Sequence, residues 1–147
     1  MALLFDTSAV IGLIERQSDQ LRQIVARSAS TVMISTMTLG ELERGVRSRA
    51  SVLAQHTLDV ASTTMEHLPI DELAGPACFG FVSSSVSQKV GGIDCWIATA
   101  AVVGAHQLVT QDSQLASEVE QIDWTATAWL TPQVTYVPVA PDVPANT

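Results

Sequence analysis

Four acidic residues occupy positions where a carboxylate could do chemistry: Asp6, Glu41, Asp94 and Asp112. Asp6 follows the apolar run ALLF directly, and Asp112 follows QLVT after one residue. Glu41 falls in the first turn of the helix expected after TVMIS, and Asp94 opens the apolar stretch CWIATAAVV behind a Gly-Gly pair. Each acid also has an ordinary structural reading. Aspartate is a favoured N-cap, and negative charge is stabilising at a helix N-terminus. Asp6 could cap a helix from Thr7, Asp112 could cap one from Ser113, and Thr38-Leu39-Gly40-Glu41 spells a T-x-x-E capping box. An uncharged side chain caps equally well, however. Four carboxylates gathered at one place would repel one another by several kcal/mol where water is partly excluded. A divalent cation removes that conflict. A hard ion with oxygen ligands, Mg²⁺, fits carboxylates, and the absence of His or Cys at ligand spacing argues against zinc. Asp94 can then be helix start and metal ligand together, with Trp96 and Ile97 behind it locking the helix in place.

The elements that must position these acids follow from hydrophobic patterning. Residues 2–5, 31–35 and 107–110 are short apolar or β-branched runs, as expected of buried parallel strands. Residues 66–70 form a short extended piece. TPQVTYVPV (131–139) reads as an edge strand because its prolines exclude it from a sheet interior. Helical spacing covers 7–16, 18–29, about 38–47, 51–65, 71–87, 94–104 and 113–121, with Gly75 and Pro76 offsetting or kinking the fifth and Gly104 in a C′ position ending the sixth. Strands alternating with helices predict an α/β fold of three layers, α/β/α, around a central parallel sheet. Ligands of such sheets bind beyond the carboxyl ends of the strands; each of the four acids sits where the chain leaves that edge or enters a helix, so in a parallel sheet several must converge. Residues 1–139 read as one domain and the proline-rich 140–147 as a disordered tail.

Composition narrows the function classes. The chain has 147 residues, 47% hydrophobic, with net charge −8, one lysine and six arginines, which excludes a general nucleic-acid-coating protein. Arg44, Arg47 and Arg49 cluster in ELERGVRSRA; as a charge cluster alone they read as a solvated helix face. Cys78 and Cys95 sit in apolar surroundings, as buried reduced thiols of a cytoplasmic protein would. No run is long enough to span a bilayer, and the N-terminal MALLFDTSAVIGLIE lacks the basic region of a signal peptide. His56, His67 and His106 have no nucleophile in context, and Trp96, Trp124 and Trp129 read as core or contact residues.

The ordered segments DTSAVIGLIE, ISTMTLGELERGV and IDCWIATAAVVGAHQLVTQD, after an N-terminal strand, resemble the PIN domain and, more narrowly, the VapC-type toxins of bacterial toxin–antitoxin pairs. The resemblance runs from residue 2 to about 137, and the interval from Asp94 to Asp112 suits it. It implies a small PIN-like nuclease that binds Mg²⁺ or Mn²⁺ and cleaves single-stranded regions of tRNA or rRNA. Asp6, Glu41, Asp94 and Asp112 match the acidic quartet by position, and Ser8 and Thr110 match hydroxyl positions near the first and last acid. It also implies a homodimer silenced by a cognate antitoxin. In such a nuclease Arg44 and Arg47, one helical turn apart, would contact flanking RNA phosphates. The long proline-rich tail and the scarcity of lysine and arginine depart from the pattern. The alternatives are a PIN nuclease that processes RNA without being a toxin, and a catalytically inactive PIN-like or receiver-like binding module. A receiver needs a lysine after a later strand, where Lys89 instead meets a glycine break. A haloacid-dehalogenase-type phosphatase needs an acid where Ser8 stands.

Overall fold

The computed structural model describes residues 2–69 and 75–140. The tail expected to be disordered, and the start of the helix expected from residue 71, fall outside that range almost entirely. Five strands form one sheet, all neighbours parallel: β1 (Leu3–Phe5), β2 (Val32–Ser35), β3 (Glu66–Leu68), β4 (Gln107–Thr110) and β5 (Val134–Tyr136), in the order β3-β2-β1-β4-β5. Helices α1 (Thr7–Ile14), α2 (Asp19–Arg27), α3 (Thr36–Arg49) and α4 (Val52–Thr64) come before the middle of the chain, and α5 (Gly75–Ser85), α6 (Gly92–Val103) and α7 (Ser113–Glu120) after it. The α/β/α reading of the sequence is thus the observed architecture.

Strand alternation makes the layers. Successive strand side chains point to opposite faces, and register aligns the rows across the sheet. Leu4 stands beside Met33 and Leu108, and Leu108 beside Val134. These four pack with Cys78 and Val82 of α5, Ile97 and Ala101 of α6, and Leu115 and Val119 of α7. One residue along, Phe5 stands beside Ile34 and Val109. That row packs with Val10 of α1, Leu21 of α2, Leu42 of α3 and Ala61 of α4. Each fully buried Leu, Ile or Phe contributes about 2–3 kcal/mol of apolar burial, so both faces need a helical cover. The central helix α6 is apolar nearly all round, with Cys95 and every residue from Ile97 to Val102 buried, as befits a helix enclosed by its neighbours.

The chain lays β1, β2 and β3 outward in one direction, then returns to place β4 on the other flank of β1. The strand order reverses between β1 and β4, and the crevice at that reversal is where ligands of open parallel sheets bind.

Three local readings are corrected. Helix α3 starts earlier than Thr38: Ser35 ends β2 and caps the helix at once, its hydroxyl accepting from the Met37 amide at 3.1 Å. Thr38 is therefore a buried helical residue with an unpartnered hydroxyl, Glu41 lies beyond the first turn, and the T-x-x-E capping box does not form. Helix α6 begins at Gly92 with Gly91 as N-cap, so only Gly91 precedes the helix and Asp94 is its third residue. Gly104 is the C-cap in right-handed conformation, and the left-handed residue is Ala105. A Cβ at 104 would come within 2.4 Å of His106 Cδ2, so any larger residue there would have to displace the imidazole. The edge position of β5 is as expected, with Pro132 and Pro138 outside its paired residues.

Candidate active site

The acidic site is built from the ends of β1 and β4. Asp6, the residue after β1, is buried and caps α1, its Oδ1 accepting from the Ala9 amide at 2.8 Å and from the Ser8 hydroxyl at 2.7 Å. Its Oδ2 accepts from the hydroxyl of Thr110, the last residue of β4, at 2.5 Å. This bond joins the two strands across the switch point. The Thr110 hydroxyl in turn accepts from the Asp112 amide at 2.9 Å and lies 3.3 Å from the Ser8 hydroxyl, which accepts from the Gln111 amide at 2.9 Å. Ser8 and Thr110 therefore hold the first and last acids in one lattice of hydrogen bonds. Burial pushes the Asp6 carboxyl above the usual range; the bonds from Thr110, Ala9 and Ser8 oppose that rise, and the charge of Asp112 adds to it.

Asp112 caps α7 through the amides of Gln114 and Leu115, at 2.9 and 3.2 Å. Both caps read from the sequence, at Asp6 and Asp112, therefore form, and both acids also stand at the crevice. Glu41 reaches across from α3 and accepts the hydroxyl proton of Thr7, the first residue of α1.

Asp94 differs from the other three. It does not cap α6, and its carboxylate takes no hydrogen bond among the described residues. Its pKa is pushed up to about 6, first by burial and then by the charges of Glu41, Asp6 and Asp112. Every one of the other three acids thus lies close enough to bear on it. No lysine or arginine forms an ion pair with any of the four among the described residues; the ion pairs found are Arg22–Asp19, Arg47–Glu43 and Arg49–Glu15. The cluster is negative, and no ion pair among the described residues compensates it.

The donor set suits a hard divalent ion: carboxylates only, with Asp94 taking no side-chain hydrogen bond or ion pair among the described residues. Among the described residues no three carboxylate, imidazole or thiol side chains stand together closely enough to chelate one ion by themselves. The arrangement fits the open type of site, in which one or two carboxylates bind directly and waters complete the shell.

The predicted arginines are divided. Both are exposed, but Arg47 is paired with Glu43 at 3.3 Å, whereas Arg44 forms no ion pair among the described residues and stands one turn beyond Glu41 on the same helix face. Two supporting residues escape sequence reading. Thr7 holds Glu41, and Glu118 of α7 accepts from the Ser87 amide at 2.6 Å and the Ser87 hydroxyl at 2.8 Å, tying the approach to α6 onto the helix that Asp112 caps. Neither carries a sequence signal, since each partner lies 31 or more residues away. The tryptophans serve packing: Trp96 stacks on Phe79 with centroids 4.0 Å apart, Trp124 is buried and Trp129 packs against the same core. Cys78 and Cys95 are buried free thiols, and burial raises both above the ordinary thiol value. His56 and His67 are exposed and His106 is half-buried. A cavity of about 380 Å³ lined by Ala101, His106, Trp129 and Leu130 lies toward the starts of β4 and β5, away from the acids.

The PIN domain family matches residues 3–120 of the chain. No curated protein matches by sequence. Among solved structures, VapBC2 from Rickettsia felis bound to a promoter DNA fragment superposes with TM-score 0.74 at 20% identity, covering 93% of this chain and 99% of that one. VapBC-5 of Mycobacterium tuberculosis, a member of the VapBC family of toxin–antitoxin systems, gives TM-score 0.64 at 25% identity over 93% of this chain and all of that one (100%). VapC20 of the same organism, a Sarcin-Ricin loop cleaving toxin, gives 0.61 at 14% identity over 79% and 94%. With the match spanning most of its length, the chain belongs to the PIN domain family.

Proposed function

We propose that this protein is an Mg²⁺- or Mn²⁺-dependent endoribonuclease, the toxin of a toxin–antitoxin pair, which cleaves single-stranded regions of tRNA or rRNA by phosphodiester hydrolysis. One observation carries the reading. Among the described residues Asp94 makes no side-chain hydrogen bond and none of Asp6, Glu41, Asp94 and Asp112 has a basic partner, while the charges of Glu41, Asp6 and Asp112 all add to the raised pKa of Asp94. A fold does not gain stability from such a cluster, whereas a phosphodiester-cleaving site uses it. Membership of the PIN family and the likeness to toxin–antitoxin chains support the same reading, as does the RNA-cleaving activity named for VapC20.

Asp6 and Asp94 would hold the ion, with Glu41 and Asp112 acting on its shell through waters or a second ion. A bound ion would polarise the scissile phosphate and lower the pKa of a water. Asp112, fixed by two backbone amides, would orient that water and take its proton as it attacks phosphorus, while the P–O3′ bond breaks and the leaving oxygen takes a proton from solvent. Ser8 and Thr110 keep Asp6 in one position. Arg44 contacts a flanking phosphate, and Arg47 does so when it leaves Glu43. Cleavage leaves a 5′-phosphate and a 3′-hydroxyl. A second copy of the chain and a cognate antitoxin are the protein partners. The cytoplasm, where RNA is the substrate at hand, is the site of action; no helix among the described residues is long and apolar enough to cross a membrane.

The test is sequencing of new RNA ends after brief induction in cells, with Asp94→Asn as control. Discrete 5′-phosphate ends in a tRNA or rRNA, absent with the variant, are expected. Equal cutting by the variant, or no new ends with the wild type, overturns the nuclease reading.

A further inference from the structure

We infer that Thr7 is a positioning residue that sets Glu41 for divalent-ion binding, by donating its hydroxyl proton to Glu41 Oε1 across the gap between α1 and α3. The inference rests on the metal-dependent reading above. Its basis is the unequal support of the four acids. Asp6 is held by two hydroxyls and an amide, and Asp112 by two amides. Both have short side chains rooted at the ends of helices they cap. Glu41 has a longer side chain with three rotatable bonds and sits beyond the first turn of α3, where no helix-end amide is open to it. Among the described residues Thr7 is its sole hydrogen-bond donor. Without that bond, repulsion from the neighbouring acids and side-chain entropy both favour swinging Glu41 out toward solvent.

The geometry suits this task. Thr7 follows Asp6 directly and is the first helical residue of α1, so the backbone that fixes Asp6 also fixes Thr7. The hydroxyl has a single proton and gives it to Oε1, which leaves Oε2 with no protein donor among the described residues. Thr7 therefore transmits the placement of the first acid to the second, over a separation of 34 residues. Outer-shell partners of this kind commonly carry a large share of metal affinity.

The experiment compares wild type, Thr7→Val, Thr7→Ser, Glu41→Gln and the double variant Thr7→Val with Glu41→Gln by calorimetric titration with Mn²⁺ alone. Valine keeps the β-branched shape and removes the donor; serine keeps the donor. Thr7→Val is expected to weaken Mn²⁺ binding about 10-fold, Thr7→Ser to restore it to within about twofold, and Thr7→Val to have no further effect in the Glu41→Gln background. Thr7→Val binding Mn²⁺ as tightly as wild type overturns the role. So does Thr7→Ser failing to rescue, since that would assign the effect to the methyl group. A wild type that binds no Mn²⁺ overturns the metal reading and this role with it, and is told apart from the other two by the wild-type titration itself.

Discussion

Replacing Asp94 with Asn should stabilise the metal-free protein at neutral pH, although the substitution removes a residue at the centre of the site. In the fold this carboxyl has a pKa of about 6, against an ordinary value near 4. At about 1.4 kcal/mol per unit the rise corresponds to roughly 3 kcal/mol. Asp94 is only partly buried, and solvent screening at such a position cuts this to about 1 kcal/mol. The α6 macrodipole works the other way: a carboxylate in the first turn is favoured by about 0.5 kcal/mol. Nothing is lost in capping, because Gly91 is the N-cap and Asp94 accepts no hydrogen bond among the described residues. The balance favours Asn by about 0.5 kcal/mol or more, or roughly 2 °C in Tm for a domain of this size. The sign fixes the pH window. Because the folded pKa is raised, the native state binds more protons than the unfolded state between about pH 4 and pH 6, and the wild type loses stability as pH rises through that range. Scanning calorimetry in chelator at pH 7.5 should show the variant melting higher, and at pH 4 the gap should close. Saturating Mn²⁺ at pH 7.5 should reverse the order by raising the wild type alone. A variant that melts below wild type at pH 7.5 in chelator would refute the claim that Asp94 is held against the repulsion of its neighbours.

Two further perturbations probe the support and the substrate face. Thr110→Val removes the hydroxyl that donates to Asp6 and accepts from the Asp112 amide, leaving two polar groups short of a partner; urea unfolding should show a loss of about 3 kcal/mol, and an unchanged midpoint would mean that the lattice carries no weight. Arg44→Ala should reduce the slope of log RNA affinity against log salt by about 1, while Arg47→Ala, already paired with Glu43, should change it less; equal effects would remove the distinction between the two arginines.

Much of this molecule is legible in the order of its residues. Apolar runs at 2–5, 31–35 and 107–110 mark buried strands because only a sheet covered on both faces tolerates side chains that are apolar on both, and Phe5, Ile34 and Val109 lie in one row for that reason. The acids that end β1 and β4 are legible too, since a parallel sheet sends every strand out of the same edge. Helix starts were less legible. A capping box at Thr38 and a start at Asp94 are sound local chemistry, but Ser35 ends β2 and Gly91 ends the turn before α6, and a helix begins at the first residue whose backbone can turn and whose exposed amides find an acceptor or solvent. Patterning also leaves strand order undetermined, because it assigns faces and says nothing of neighbours. That β4 lies beside β1, so that Thr110 bonds Asp6, is decided by how the helices cover the two faces of the sheet. The same holds for Thr7 with Glu41 and Glu118 with Ser87: these are contacts between surfaces that meet only after folding, and no local propensity encodes them. Sequence alone therefore determined which residues are acidic, which segments are buried and at which edge the acids emerge. Tertiary packing decided that three of those acids press on an Asp94 left without a protein partner among the described residues, because electrostatic repulsion depends on distance through space and not along the chain.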